Sequence, residues 1–293
     1  MTRRGKVLRL FLFVLTFLST LLVGLEYAVS YYHLPLETGS LWRRVAADPI
    51  LLSHGLWYAV PVMAILLAHE LGHYRACRRH GIGASWPLFI PAPTLLGTLG
   101  AFIRIHAPFP SKRALFDVGV AGPLAGFLLT LPVLAIGICL SCVEPVLEGG
   151  DGGLALGEPL GFMLLAHVIL GKAAAGTVLV HPTAFAGWVG LLATAFNLFP
   201  IGQLDGGHLA YAVFGRRIAL VLSVGAVLGL VALGIFVWPG WLVWALLMTL
   251  VGLRHPWVHA SERLERRRLL LAAAALLAFV LSFAPLPMRI DSF

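Results

Sequence analysis

The sequence predicts an all-α polytopic membrane protein with six to seven transmembrane helices and a short membrane-dipping β-hairpin or loop after the second helix. Of the 293 residues, 59% are hydrophobic and 12% are charged, half of the roughly 25% charged residues usual in soluble domains. A soluble protein cannot cover this much apolar surface, so lipid is the solvent for most of the chain. The composition therefore excludes a soluble globule, a disordered chain and a secreted disulfide-rich scaffold.

Apolar runs long enough to cross a bilayer, about 20 residues each, predict the individual helices. We expect spans over residues 7–32, 51–76, 115–141, 184–200, 217–238 and 269–285. A seventh run, 240–253, is short, and a weaker run, 162–170, is too short to span. The first run is interpreted as a membrane anchor, because it is too long for a signal peptide and lacks a small-residue cleavage site.

The basic residues predict the orientation of these helices. With a cytoplasmic N-terminus, seventeen of the 21 Lys and Arg residues fall on the cytoplasmic side and four on the other. This asymmetry follows the positive-inside rule, and it explains the net charge of +8 without a nucleic-acid partner. Only an arrangement that includes the seventh run keeps residues 263–268 on the cytoplasmic side. We interpret the chain as one membrane domain, with an anchor and outer loop (1–49), a core (50–215) and C-terminal helices (216–293).

The second predicted span carries the strongest chemical signal, His69-Glu70-Leu-Gly-His73. Two histidines four residues apart lie on one face of a helix, so both imidazoles reach a single metal ion. A glutamate next to the first histidine occupies the general-base position of zinc peptidases. Ionisable residues inside a membrane helix are functional candidates, because burying them costs several kcal/mol. We therefore predict a zinc site at His69 and His73, with Glu70 as the base.

A catalytic zinc needs a third protein ligand at the same depth. The fourth predicted span ends in Asn197-Leu-Phe-Pro200-Ile-Gly-Gln-Leu-Asp205-Gly-Gly-His208. Pro200 stops the helix and the glycines permit a sharp turn, which favours Asp205 as the ligand. His208 is the alternative ligand, and a simple helix N-cap is the alternative role for Asp205.

The segment from residue 84 to residue 111 follows the metal-bearing span and carries Pro87, Pro91, Pro93, Gly97 and Gly100, followed by the β-branched Ile103 and Ile105. We interpret it as a strand or hairpin that dips toward the site, since non-helical backbone at membrane depth must be buried in protein or line a cavity. A substrate helix must unwind before cleavage, and the edge around Gly97, Gly100 and Ala101 is our candidate for pairing with it as an added strand. The alternative is an inert lid.

Taken together, these motifs resemble those of the site-2 protease family of intramembrane zinc peptidases. The resemblance covers roughly residues 50–290 and rests on His-Glu-Leu-Gly-His, on the stretch from Asn197 to Gly206, on Val118-Gly-Val-Ala-Gly-Pro-Leu-Ala-Gly126 and on Gly97-Thr-Leu-Gly-Ala-Phe-Ile-Arg-Ile. It implies that His69, His73 and Asp205 bind one zinc ion, that Glu70 is the base and that Asn197 hydrogen-bonds substrate. It further implies regulated intramembrane proteolysis of transmembrane protein substrates in a lipid bilayer.

The chain departs from many members of that family in having no inserted PDZ module and no CBS pair, so we expect no regulation through those modules. A regulatory membrane partner is left unidentified. The stretch from Gly97 to Ile105 also resembles a branch of the family that is found in plastids and many bacteria. Because the chain lacks a plastid-type transit peptide, we expect a bacterial cytoplasmic membrane, with the active site near the cytoplasmic face.

Two other functions use the same ligands. A transporter would show inverted repeats and paired broken helices near the membrane midplane, and the sequence has neither. A non-proteolytic zinc-binding membrane protein would have no need of Glu70. Both remain alternatives to the peptidase.

Overall fold

The computed structural model describes residues 3–32, 45, 48–106, 108–144, 154–171, 177–256, 258 and 264–290. Within these residues the helices are α1 (Arg3–Tyr31), α2 (Leu52–Arg79), α3 (Lys112–Cys139), α4 (Leu160–Leu170), α5 (Pro182–Leu198), α6 (Asp205–Phe214), α7 (Arg216–Phe236), α8 (Gly240–Val251) and α9 (Arg266–Ser282). The strands are β1 (Leu88–Pro91), β2 (Thr98–Phe102), β3 (Cys142–Glu144), β4 (Leu154–Leu156), β5 (Thr177–Leu179) and β6 (Met288–Ile290).

The predicted fold class, an all-α membrane protein, is confirmed. Each of the seven apolar runs forms a helix, and the weaker run is the short helix α4. Four helical segments are long and apolar enough to cross a membrane: Gly5–Tyr31, Pro49–Arg79, Lys112–Cys139 and Arg216–Phe236. Helices α5 and α9 have 17 residues each and α8 has 12, so a count of six or seven spans stays a prediction.

Local signals explain where the central helices begin. Pro49 opens a 3₁₀ turn before α2, and the Asp48 carboxylate accepts a hydrogen bond from the Ile50 amide. Ser111 caps α3 by accepting from the Ala114 amide at 3.1 Å, and Pro182 is the first residue of α5. Proline suits a first helical position because the amide hydrogen that it lacks has no partner there anyway.

Three helices, α2, α3 and α5, pack against one another and form the centre of the bundle. Helix α1 lies against α2, and α9 packs on α3 and α5. Helix α6 fills the space between α3 and α7, and α7 in turn packs against α6 and α8. The main hydrophobic core is built from side chains of α2, α3, α5 and α6, so the loop between α5 and α6 joins two elements of that core.

Polar contacts tie the ends of the helices together. At one end, Asp117 of α3 accepts two hydrogen bonds from Arg268 of α9, both 2.8 Å, and lies 2.9 Å from the His80 ring that follows α2. At the other end, the Tyr31 hydroxyl of α1 donates to the Leu140 carbonyl after α3. The ends of α2 and α9 that carry clusters of arginine therefore lie together.

The segment after α2 forms a two-stranded antiparallel hairpin, β1–β2, with Phe89 opposite Ala101 and Pro91 opposite Thr98. This is the hairpin that the sequence predicted. Two further strand pairs link helix ends: β3–β5 joins the end of α3 to the start of α5, and β4–β6 joins the start of α4 to the end of α9. The sequence did not indicate them, because three-residue strands are too short to show an alternating pattern.

Candidate active site

Helix α2 presents three polar side chains to the interior of the bundle near its C-terminal end. His69 and His73 lie one turn apart on the same face, with Glu70 beside them. The exposed fractions are 8% for His69, 5% for Glu70 and 7% for His73. Groups of this polarity are costly inside an apolar bundle unless polar partners or a metal ion satisfy them.

The turn between α5 and α6 brings a carboxylate to the two imidazoles. Helix α5 ends before Pro200, and Gly202 has a φ of +49°, a left-handed conformation that glycine adopts without steric penalty. Helix α6 then begins at Asp205, whose Oδ2 atom lies 3.3 Å from the Nε2 atoms of both His69 and His73. The structure thus brings the three predicted zinc ligands together.

Two glycines set the position of Asp205. A Cβ atom on Gly206 would overlap the carbonyl oxygen of Leu198, and one on Gly207 would lie 2.7 Å from the carbonyl oxygen of Ile201. Only a residue without a side chain allows the first turn of α6 to pack directly on the end of α5. The glycines that follow Asp205 therefore fix the depth of its carboxylate relative to α2.

The three donor atoms lie close enough together to hold one metal ion, at separations near those of a tetrahedral zinc site. The Nε2 atoms of His69 and His73 are 3.0 Å apart, and each is 3.3 Å from Asp205 Oδ2. Ligands at the usual zinc distances of about 2.0–2.2 Å are separated by about 3.3–3.5 Å in a tetrahedron. His73 Nδ1 donates to the Val118 carbonyl at 2.8 Å, which directs the lone pair of Nε2 toward the other two ligands. The residues present therefore fit a zinc ion.

A face of small residues on α3 makes room for the ligands. A Cβ atom on Gly122 would overlap the His73 ring, and one on Gly126 would lie 3.2 Å from the Cβ of His69. Opposite them, Gly72 of α2 lies against the carbonyl of Ala121. Small residues on both helices thus let α2 and α3 approach closely. Because these glycines have no side chains, α3 packs directly against His69 and His73 and restricts the movement of both side chains.

Glu70 links the site to the hairpin. The Glu70 carboxyl is hydrogen-bonded to the backbone of Ile103, the residue that directly follows β2. The hairpin is held in turn by α1 and α2, since the Ser19 hydroxyl donates to the Gly97 carbonyl and the Tyr58 hydroxyl donates to the Leu96 carbonyl at 2.8 Å. The end of β2 thus lies against the carboxyl that the sequence predicted to be the base.

The three hairpin residues predicted to position substrate occupy different places. Gly97 lies in the turn, and a Cβ atom there would be 2.9 Å from the Ser19 carbonyl, so this glycine is an anchor on α1 and not part of an open edge. Gly100 has a φ of +97° with nothing within 4 Å of a Cβ position, at the irregularity where the register shifts. Ala101 is paired with Phe89 and half-buried.

Asn197 lies in the last turn of α5, next to the start of α6. Its side chain is half-buried and makes no hydrogen bond with any residue that the structure describes. An amide without a protein partner in an apolar bundle is available to a bound peptide.

His208, the alternative third ligand, points to a different partner. Its Nδ1 atom is 2.7 Å from Nε2 of His255, whose own Nδ1 donates to the Pro256 carbonyl at 2.7 Å. Burial lowers the pKa of His255, so this ring is neutral and its Nε2 accepts from His208. Sequence spacing missed this pair, because 47 residues separate its members; the sequence offered only a histidine in the loop after α8, with nothing to link it to His208.

Comparison with known proteins agrees with this geometry. The model of Peptidase family M50 matches residues 57–236, which include all three candidate ligands and Glu70. "Probable zinc metalloprotease EGY1, chloroplastic" of Oryza sativa subsp. japonica is 36% identical over 248 residues, 78% of this chain and 42% of that protein. Its Arabidopsis thaliana namesake is 37% identical over 250 residues, 78% of this chain and 44% of that protein.

A shorter match is "Probable zinc metalloprotease EGY2, chloroplastic" of Oryza sativa subsp. indica, 37% identical over 193 residues, 62% of this chain and 34% of that protein. The chain spans less than half the length of these curated relatives. The family match nevertheless covers more than half of the chain and contains the whole candidate site. This chain therefore belongs to peptidase family M50, the site-2 proteases.

Proposed function

We propose that this chain is an intramembrane zinc endopeptidase that hydrolyses peptide bonds within or near transmembrane segments of membrane proteins. One observation carries the proposal: two imidazoles and a carboxylate converge at 3.0–3.3 Å inside an apolar helical bundle, with a second carboxyl, Glu70, beside them. Membership of a peptidase family and the printed names of the relatives support the same reaction.

In this proposal His69, His73 and Asp205 hold one zinc ion. The chemistry that zinc supplies when bound is Lewis-acid polarisation of a carbonyl and acidification of a water molecule. The Glu70 carboxylate accepts a proton from the attacking water at one of its oxygens and later donates it to the leaving amine. The hydrogen bond from the Ile103 backbone to Glu70 orients this carboxyl. Burial of the site excludes bulk water from the reaction.

Substrate positioning is assigned to Asn197 and the hairpin. The Asn197 amide, which lacks a partner among the described residues, would donate to a substrate carbonyl or to the developing oxyanion. An unwound substrate would add as a strand along β2, since β2 pairs with β1 on one side only in the described residues. Gly100 and Ala101 lie on this strand, whereas Gly97 serves to hold the turn on α1.

We further propose a single multi-pass membrane domain with its N-terminus and active site on the cytoplasmic side of a bacterial membrane. The uneven distribution of basic residues supports the orientation. So does the joining of Asp117, His80 and Arg268 at one end of the bundle. The relatives named above are chloroplastic, so this chain would differ from them in the membrane that it occupies.

The function is tested with the purified full chain and with Glu70→Gln, each incubated with a model single-span substrate in detergent or in vesicles. We expect about one zinc ion per chain in both proteins and cleavage only by the unaltered chain. Glu158→Gln is the matched control, because Glu158 is exposed and lies outside the site, and it should cleave normally. Zinc in all three proteins with no cleavage of diverse substrates would favour a transporter or another non-proteolytic zinc protein.

Strand addition is tested by cysteine cross-linking in a Glu70→Gln background whose native cysteines are replaced by serine. Leu99 on β2 has 70% of its surface exposed and Leu95 in the turn has 56%. A substrate strand beside β2 would lie about 4.8 Å away, so Leu99→Cys should form a disulfide with alternate substrate cysteines only. Equal cross-linking of Leu95→Cys and Leu99→Cys, with no alternation along the substrate, would contradict the pairing.

A further inference from the structure

A cavity of about 360 Å³ lies at the arginine-rich end of the bundle, outside the zinc site. It opens between the loop that precedes Asp205, the start of α7 and the segment after α8. Its walls include Gly202, Gly207, Arg216, Arg217, Ser223 and Arg254. Its volume falls within the roughly 300–1,000 Å³ typical of sites for small molecules.

The cavity is strongly positive. Its three arginines form no ion pair with any described carboxylate, whereas Arg268 at the same end of the bundle is paired with Asp117 and Glu265. The start of α7 adds to this charge, because Gly215 provides no side chain to cap the amides of the first turn, and a helix N-terminus carries a partial positive charge. Arginine presents a planar fork of donors that matches phosphate oxygens.

We propose that this cavity binds a phosphate-bearing anion, either the headgroup of an anionic phospholipid or inorganic phosphate. The positive-inside rule explains why arginines flank α7, but it does not require them to surround a cavity. Three arginines around an open cavity, with no ion pair among the described residues, together with an uncapped helix start, form the donor set that phosphate groups prefer. Nothing in the proposed proteolysis uses these residues.

The same cavity is connected to the loop that carries Asp205. Gly202 and Gly207, on either side of Asp205, form part of its wall. Ser223 of α7 also lines it, accepts a hydrogen bond from the Gly202 amide at 3.1 Å and donates to the Pro200 carbonyl at 2.9 Å. An anion held by the arginines would therefore brace the turn between α5 and α6, and binding should raise the thermal stability of the protein.

The test measures binding by the purified full chain and needs no proteolysis, so it is independent of the proposed function. Native mass spectrometry compares retention of phosphatidylglycerol and phosphatidylcholine by the unaltered chain, by Arg216→Ala/Arg217→Ala and by Arg266→Ala/Arg267→Ala. The last variant removes the same charge from exposed residues of α9 that do not line the cavity. At about 1 kcal/mol per basic residue, the first variant should bind phosphatidylglycerol roughly thirtyfold more weakly and the control should bind it unchanged.

Two further arms identify the source of the phosphate and keep the test valid if the double variant does not fold. Inorganic phosphate alone should raise the melting temperature of the unaltered chain if free phosphate is the ligand, and should leave it unchanged if only the lipid binds. Arg254→Gln, at an exposed position away from α7, should weaken the binding of whichever ligand is found by roughly fivefold. Equal phosphatidylglycerol binding by both double variants, with no stabilisation by phosphate, would overturn the proposal.

Discussion

Helices α5 and α7 are both rich in apolar residues and glycine, yet they occupy opposite environments. Helix α5 has 14 of its 17 residues buried, whereas α7 has 4 of its 21. Helix α7 is the longer and satisfies the criteria for a membrane span, which α5 is too short to meet. Length and apolar character therefore identify a membrane helix without indicating whether protein or lipid surrounds it.

The glycines of the two helices show what makes the difference. On α5, a Cβ atom on Gly187 would lie 2.8 Å from Leu134 of α3, and one on Gly190 would lie 2.5 Å from the Thr130 hydroxyl. On α7, Gly225 and Gly229 have nothing within 4 Å of a Cβ position. Lipid tails are as apolar as leucine, so helices in a membrane associate through close backbone contact. Helix α5 has that contact at both glycines, whereas α7 has it only at Gly234, where a Cβ atom would lie 2.9 Å from the Leu242 backbone of α8.

The largest effect is expected at Asp205, the candidate third zinc ligand, which lies where α5 and α6 meet. Asp205→Asn keeps the shape of the side chain and removes the charge, so zinc per chain should fall below a tenth of its normal value. Cleavage should fall at least roughly a thousandfold, as when a principal catalytic group is removed. Zinc is measured by mass spectrometry of the metal after desalting, and cleavage by gel electrophoresis of a model substrate.

Asp48→Asn is the matched control for this experiment, because Asp48 is exposed and caps the turn before α2. It should leave zinc content and cleavage unchanged. Full zinc content in Asp205→Asn would show that another residue is the third ligand. His208, also on α6, is then the alternative.

A pair of leucines tests the comparison of α5 with α7 directly. Leu191 of α5 has none of its surface exposed and Leu228 of α7 has 63% exposed. Leu191→Ala leaves a cavity in the core and should lower the free energy of unfolding by about 2–5 kcal/mol. Leu228→Ala exchanges one lipid-facing apolar side chain for another and should change it by less than about 0.5 kcal/mol.

The measurement is reversible unfolding of the purified variants in mixed micelles, followed by circular dichroism. Equal losses for the two leucines would mean that a neighbouring molecule covers α7, and the description of this helix as lipid-facing would then be wrong.

Sequence reasoning could propose the ligand set because each of its two parts has a local pattern. His69, Glu70 and His73 share one helix, and Pro200 with the glycines around Asp205 marks a break that a helix end requires. The approach of Asp205 to the histidines depends on Gly122, Gly126 and Gly206, whose spacing predicts close packing but not which surfaces meet.

Contacts between distant segments could not be predicted, because no local pattern shows which segments meet. The bond between His208 and His255 and the pairing of β4 with β6 join residues far apart in the chain. Gly97 was expected near the substrate, and the structure places it against α1. A glycine with positive φ has the same sequence signature in a turn that packs on a helix as in a strand that faces a ligand.

Gly122 and Gly126 form the face of α3 that packs against the two histidines. Gly122→Ala would put a methyl group where the His73 ring lies, so the ring must move. We expect a 10–100-fold weaker zinc affinity, the range found when the support of a metal ligand is disturbed. Gly225→Ala on α7 is the control and should bind zinc normally. Zinc affinity is measured by competition with a chelator, and equal affinity in both variants would show that His73 tolerates the displacement.

The smallest effect is expected at the end of the bundle, where Asp117 joins α3 to α9. Asp117→Asn keeps a hydrogen-bond acceptor and removes the charge that holds Arg268, so the free energy of unfolding should fall by about 1–2 kcal/mol. Arg266→Gln, which removes an exposed charge with no described ion pair, is the control. An unchanged stability would show that α9 is held on α3 and α5 by apolar packing alone.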